Sequence, residues 1–285
     1  MSSRGGVPEG APSDDLLVRS RSAMLDALAA LAEHRSAVIV VGAQAVYLRT
    51  GSAPVALAEA TKDSDLAIDP RALGEDPRVE AAMEAAGFMP DRIHGQPGAW
   101  VNGMGIPVDL MVPEALAGPG GAKTRGARLP PHDRRAMRRA RGLEASVIDN
   151  SVERVAALDP GDGRVYEAKI AGPAALLVAK SHKIAERIEN PQRLNDKDAH
   201  DMYRILITIE TEPLVDGFRR LLADRISASV ADEALTQMEE LVAPGPGAPI
   251  SVMAGRAEEG LGDPQTVALS TSLLAKDLLT ELDRL

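Results

Sequence analysis

The stretch TKDSDLAID, Thr61–Asp69, decides how the chain is read. Leu66 and Ile68 mark a buried strand, yet Asp63 and Asp65 stand at alternate positions where it begins, and Asp69 closes the run. Strands are depleted in Asp, because its short side chain competes for backbone hydrogen bonds. Side chains at i and i+2 of a strand share a face, so Asp63 and Asp65 are expected side by side. The same anomaly recurs in PVDLM, where Asp109 interrupts apolar sequence. If that strand pairs nearby, three carboxylates meet and repel one another. A divalent cation relieves the repulsion; Mg²⁺ takes carboxylate oxygens together with substrate phosphates and waters. Two such ions clamp the attacking and leaving oxygens of an in-line displacement at phosphorus. The plainer alternative makes Asp63 a turn residue and Asp65 a surface strand position, since D-x-D is short enough to arise by chance. The apolar neighbours, among which unpaired charge is expensive, and the second interruption at Asp109 favour the site.

Upstream, AVIVVG (Ala37–Gly42) is an apolar run ending in glycine, the pattern of a buried strand. QAVYLRTG fits a short helix closed by Gly51. A strand, a glycine and a helix in succession let backbone N–H groups approach a phosphate without a Cβ in the way. The dinucleotide fingerprint and the P-loop are both absent; in GPGGAKT, Ala122 stands where the latter needs glycine. A helix is expected from about Asp14 to His34, with Leu16, Leu17, Met24, Leu25, Leu28 and Leu31 on its apolar face. Downstream, Pro77–Gly87 reads as a helix, and GAWVNGMGIPVDLMVP as a hairpin turning near Asn102–Gly105. ASVI, VERVAAL and RVYEAKIA read as short strands. From Gly172 onward the chain reads as helical, broken once by APGPGAP (Ala243–Pro249). The expected layout is α+β: a disordered tail over 1–13, a mixed-sheet core over 14–170 and a helical C-terminal domain over 171–285.

The 285 residues suffice for a real core. There is no cysteine, which excludes disulfides and thiolate metal sites. No apolar window is long enough for a membrane span, and the N-terminal residues have no secretory h-region, so a cytoplasmic protein without membrane partners is expected. The five histidines (His34, His94, His132, His182 and His200) lack metal-ligand spacing. The net charge of −10 argues against wholesale coating of nucleic acid. It is uneven, however. Lys123, Arg125, Arg128, Arg134, Arg135, Arg138, Arg139 and Arg141 face only Asp133, so this segment carries +7 and the remainder −17. Such a patch offers local phosphate binding, or is simply a solvated loop. With aromatic residues at 2%, base-stacking platforms are scarce, so phosphate contacts would dominate any RNA binding.

Taken together, VVGAQAV, ATKDSDLAID and PVDLM resemble the polymerase-beta-like nucleotidyltransferase superfamily, and T-x-D-x-D resembles its AbiEii-type members, the toxins of type IV toxin–antitoxin pairs. LLVAKSHKIAER and NDKDAHDMYRIL add a second match, a helix with Lys and Arg followed by a K/R-D-x-x-D-x-Y helix. From the residues alone, Lys180, Lys183 and Arg187 share one helix face and Asp198 and Asp201 the next helix. A salt-bridged helix pair over a core of Leu176, Leu177, Ile184, Ile205 and Leu206 explains them equally. The resemblance implies instead that Lys180 reaches the triphosphate of an incoming NTP and that Asp198, with Asp201 as a second acid, completes the site. It implies nucleotide binding at Gly42, Ala43, Thr61, Lys180 and Lys183, and one or two Mg²⁺ ions on Asp63, Asp65 and Asp109. The implied catalytic set is Asp63, Asp65, Asp109, Lys180 and Asp198. The chain departs from the pattern at Ala43, where Gly or Ser is usual, and in the twenty residues between Gly42 and Asp63.

The implied activity is transfer of a nucleoside monophosphate to a hydroxyl, the 3′ end of tRNA being bound through Lys123–Arg141, with a separate antitoxin protein as partner. Two alternatives stand beside it: the same chemistry on a small molecule or a protein, and a catalytically silent nucleotide-binding or regulatory module.

Overall fold

The computed structural model describes residues 13–51, 63–91, 95–121 and 123–285. The chain divides into two compact units. The first takes in the chain up to Gln44, Ala60–Ala140 and Ser151–Ile170; the second takes Ala45–Glu59, Arg141–Asn150 and Ala171–Leu285.

In the first unit, α1 (Ser13–Ala30) buries Met24, Leu25 and Ala27. The helix expected to reach His34 stops earlier; Ala32–Ala37 is a 3₁₀ segment in which His34 departs from helical geometry. There the His34 ring turns inward and donates from Nε2 to the Pro77 carbonyl at 2.6 Å. Strand β1 (Val38–Val41) is wholly buried and runs into α2 (Gly42–Thr50). Then follow β2 (Ser64–Ile68), α3 (Val79–Ala85), β3 (Met89–Pro90), β4 (Ala99–Val101), β5 (Pro107–Pro113), β6 (Arg138–Ala140), β7 (Asn150–Ala156) and β8 (Val165–Ala171).

These strands form one mixed sheet in the order β3-β4-β5-β2-β1-β8-β7, with β6 also on β5. β1 runs antiparallel to β2 and parallel to β8; β2 and β5 are parallel. The hairpin forms where expected. Asn102 accepts at its side-chain oxygen from the Met104 and Ile106 amides, so the turn between β4 and β5 is held by one amide side chain. ASVI is not a strand. Leu143–Val147 is a buried 3₁₀ segment entered through Gly142 at φ 86°, and four apolar residues cannot by periodicity be told from a buried helical turn.

The second unit is built on α4 (Pro173–Ala185), α5 (Asp196–Thr208), α6 (Thr211–Ala223), α7 (Ala228–Leu241), α8 (Pro249–Arg256) and α9 (Pro264–Glu281). Phe218, Leu221, Leu235, Met238, Ile250, Leu278 and Leu279 fill its core. The single break expected at Ala243–Pro249 is one of several. Asn195 and Asp263 also start helices, each accepting from an amide two residues on. Among the described residues, no helix is long and apolar enough to cross a membrane.

Candidate functional site

The acids of the opening stretch sit at one end of the first unit's sheet. Asp65 pairs with Asp109 in register across the parallel strands β2 and β5, so the two side chains leave the same face. Ser64, the neighbour of Asp65, donates to the Ser20 carbonyl of α1 at 2.9 Å. The α1 side of the sheet therefore belongs to Ser64, Leu66 and Ile68, and the acids project from the opposite side. Asp63 precedes β2 instead of lying within it, and is exposed. Among the described residues, no group of three or more His, Asp or Glu side chains is arranged to hold a metal ion. What the fold assembles is an acid pair, with Asp63 two residues upstream.

Gly42 explains the end of β1. Val41 is the antiparallel partner of Asp65, and Gly42 follows at φ 65°, a left-handed conformation that side chains disfavour. A Cβ at Gly42 would stand 2.2 Å from Asp65 Oδ2. The space that sequence reasoning reserved for a phosphate is thus taken by the Asp65 carboxylate. Gly42 is also the first residue of α2, whose positive dipole end stabilises negative charge. Ala43 is buried beside it. Thr61 lies outside the described residues.

Sequence reasoning missed the partner of Asp109. Arg138 Nη2 donates to Asp109 Oδ2 at 2.7 Å, with both side chains about a quarter exposed. Arg138 begins β6, which pairs with β5 through Met111↔Arg138; Met111 and Asp109 share a face, so the guanidinium reaches back two residues. Gly98 makes the approach possible. It lies at φ 77° where β4 gives way to β6, and a Cβ there would meet Leu110 O at 2.3 Å and Arg138 N at 2.6 Å. The signal was present in AMRRA, a strand-like run with Ala136 and Met137 buried, but the crowd of cations drew the reading towards RNA.

The basic segment is only partly available to a ligand. Arg138 serves Asp109, and Arg139 donates to the carbonyls of Glu114, Ala117 and Gly118. Arg141, in the second unit, pairs with Glu233. Lys123, Arg125, Arg128, Arg134 and Arg135 remain exposed. Asp69 is structural: its carboxylate accepts from the Arg71 amide and guanidinium. Burial alone would raise its pKa, and the Arg71 contacts hold it below the ordinary value.

In the second unit, Lys180 is buried between Asp198 Oδ1 at 2.8 Å and Asp201 Oδ2 at 2.6 Å. Burial alone would lower the Lys180 pKa, but the two carboxylates outweigh it and hold the ammonium charged far above the usual lysine value. Burial likewise works to raise the Asp198 pKa, and Lys180 with Lys183 drives it well below the carboxylate range. Lys183, 40% exposed, donates to the same Asp198 oxygen at 2.9 Å, and Arg187 stands 4.0 Å from the other. The residues of the second motif are therefore brought together as a helix-pair network, with Lys180 inside it and Lys183 at its rim. Tyr47 of α2 lies under the guanidinium of Arg204, which also donates to Thr50 Oγ1 at 2.7 Å and to the Gly51 carbonyl at 2.8 Å.

Comparison with protein-family models, with curated proteins and with solved structures finds no match to this chain.

Proposed function

We propose that the chain is a divalent-cation-dependent nucleotidyltransferase, as the toxin of a toxin–antitoxin pair: a hydroxyl on the 3′ end of tRNA attacks the α-phosphorus of an NTP, the bond to the β-phosphate breaks, and pyrophosphate leaves. The observation that carries the reading is the in-register placement of Asp65 and Asp109 on parallel strands, with Asp65 against the Gly42 turn. Two carboxylates on one face, in a cradle that excludes a Cβ, suit a hard cation that completes its shell with phosphate oxygens and water. A magnesium ion there would neutralise charge developing on phosphate oxygens during in-line displacement. The remaining roles belong to the chain. Asp109 takes the proton of the acceptor hydroxyl. Of the two lysines that the resemblance assigns to phosphate, Lys183 is the one exposed enough to meet a ligand. Lys123, Arg125, Arg128, Arg134 and Arg135 are exposed to RNA phosphates.

A second reading, a catalytically silent nucleotide-binding module, draws on two observations. Arg138 already neutralises Asp109, and Lys180 is enclosed by its own acids. Incubating the protein with Mg²⁺, total tRNA and each α-labelled NTP separates the two. Label transfer that disappears in Asp65→Asn supports the enzyme. Nucleotide binding without transfer supports the module, and transfer undiminished in Asp65→Asn removes the assignment of the acids.

A further inference from the structure

Two carboxylates in register on adjacent strands repel each other, and opposite charge on a neighbouring strand is the ordinary remedy. Here one such charge comes from a third strand. Arg138 approaches Asp109 from β6, on the edge of β5 away from Asp65. Its guanidinium is fixed by a single charged hydrogen bond at 2.7 Å, about a quarter exposed, with Nε buried and unpartnered among the described residues. An ion pair so placed is modest in strength, and exchange for another cation is within reach.

We propose that Arg138 is a resident counter-charge of Asp109 and competes with a divalent cation for its carboxylate. The inference rests on the reading of these acids as a cation-holding pair, but not on nucleotidyl transfer. With its carboxylate given over to the cation, the guanidinium swings free at the same sheet end. It is then a donor for a phosphate oxygen of the ligand that arrives with the cation. Arg138 is on this account a positioning residue that offsets the Asp109 charge until the carboxylate is loaded.

The test is Mn²⁺ binding to the full chain, followed by the paramagnetic signal of the free ion. Arg138→Gln removes the competitor, and Mn²⁺ should bind at least about tenfold more tightly than to the wild type, the equivalent of one charge-assisted hydrogen bond. Adding Asp109→Asn to that variant should cancel the gain. Arg138→Lys keeps the charge on a shorter arm and should fall between the two, which preserves the comparison if Arg138→Gln does not fold. Equal or weaker Mn²⁺ binding in both Arg138 variants overturns the inference, as does a gain that survives Asp109→Asn or a failure of every form to bind the ion. The label-transfer assay decides the enzymatic reading separately. Transfer by the wild type with no gain in Arg138→Gln would sink this inference alone, and a gain without transfer would sink only the enzyme.

Discussion

Lys180 and Asp201 meet at 2.6 Å inside the second unit, on helices α4 and α5, with side chains 6% and 1% exposed. Asp198 holds the same ammonium from one turn earlier on α5. Removing Lys180 leaves the Asp201 carboxylate buried without its cation and Asp198 with only Lys183 and the more distant Arg187. Lys180→Met is expected to cost about 3–5 kcal/mol of stability, measured by urea unfolding. The pH dependence follows from the directions of the shifts. Asp198 is depressed in the folded chain, so its contribution is complete above the unfolded value of about 3.9 and is lost as pH falls towards the lower folded value. Lys180 is raised, so its contribution is complete below about pH 10.4 and fades only as pH climbs to the higher folded value. Asp198→Asn should flatten the acid limb of the stability profile.

Gly42→Ala should destabilise the first unit by more than the left-handed backbone alone, which costs about 1–2 kcal/mol for alanine. The added Cβ falls 2.2 Å from Asp65 Oδ2 and 2.9 Å from Asp65 Cβ. In an Asp65→Ala background the closer clash is gone, so the two substitutions should be less damaging together than their separate effects imply. Strict additivity in urea unfolding would mean that the carboxylate does not press on the glycine.

His132 ties the start of α3 to the loop before β6. Its Nε2 donates to the Gly74 carbonyl at 3.0 Å, which leaves Nδ1 to accept from the Val79 amide at 3.2 Å. Only the neutral ring can do both. Burial lowers the His132 pKa first of all; the Gly74 carbonyl and Glu80 oppose this, while His34 and Arg78 add to it. A depressed base contributes stability above its unfolded value of about 6.5, and that contribution is lost as pH falls below it. As pH falls below about 6.5 the wild type should therefore lose stability that His132→Gln does not lose. Trp100 reports the change, since it is the sole tryptophan, is buried, and donates to the Ala136 carbonyl four residues beyond His132.

RNA binding, if it occurs through the basic segment, should show the salt dependence of its five exposed cations and not of all eight. For single strands that means a slope of log affinity against log salt near about −3.5. Arg125→Glu with Arg128→Glu should flatten it further, whereas binding indifferent to salt would exclude the patch.

The sheet was legible where its signals are local. AVIVVG announces β1, PVDLM announces β5, and the glycine-rich turn between Trp100 and Pro107 announces the hairpin. The two anomalous acids point to a meeting only if their strands pair nearby; the pairing in register, Asp65 opposite Asp109, is set by the fold. Less could be read where the deciding partner is remote. Arg138 lies 29 residues from Asp109, and its role depends on Gly98 letting a second strand take over the edge of β5. The fate of Lys180 turned on two acids a helix away, whose spacing fits a closed network as well as a ligand site. Leu143–Val147 shows the limit of composition: a short apolar run states that it is buried, not how it winds.

Strands β4 and β6 occupy successive lengths of a single border, with Gly98 at the join. The two arms therefore cannot be varied in length independently: one more residue of pairing by β4 must push β6 along and carry its guanidinium off Asp109. A change of length at the Gly98 join would therefore draw Arg138 away from Asp109 without touching either residue.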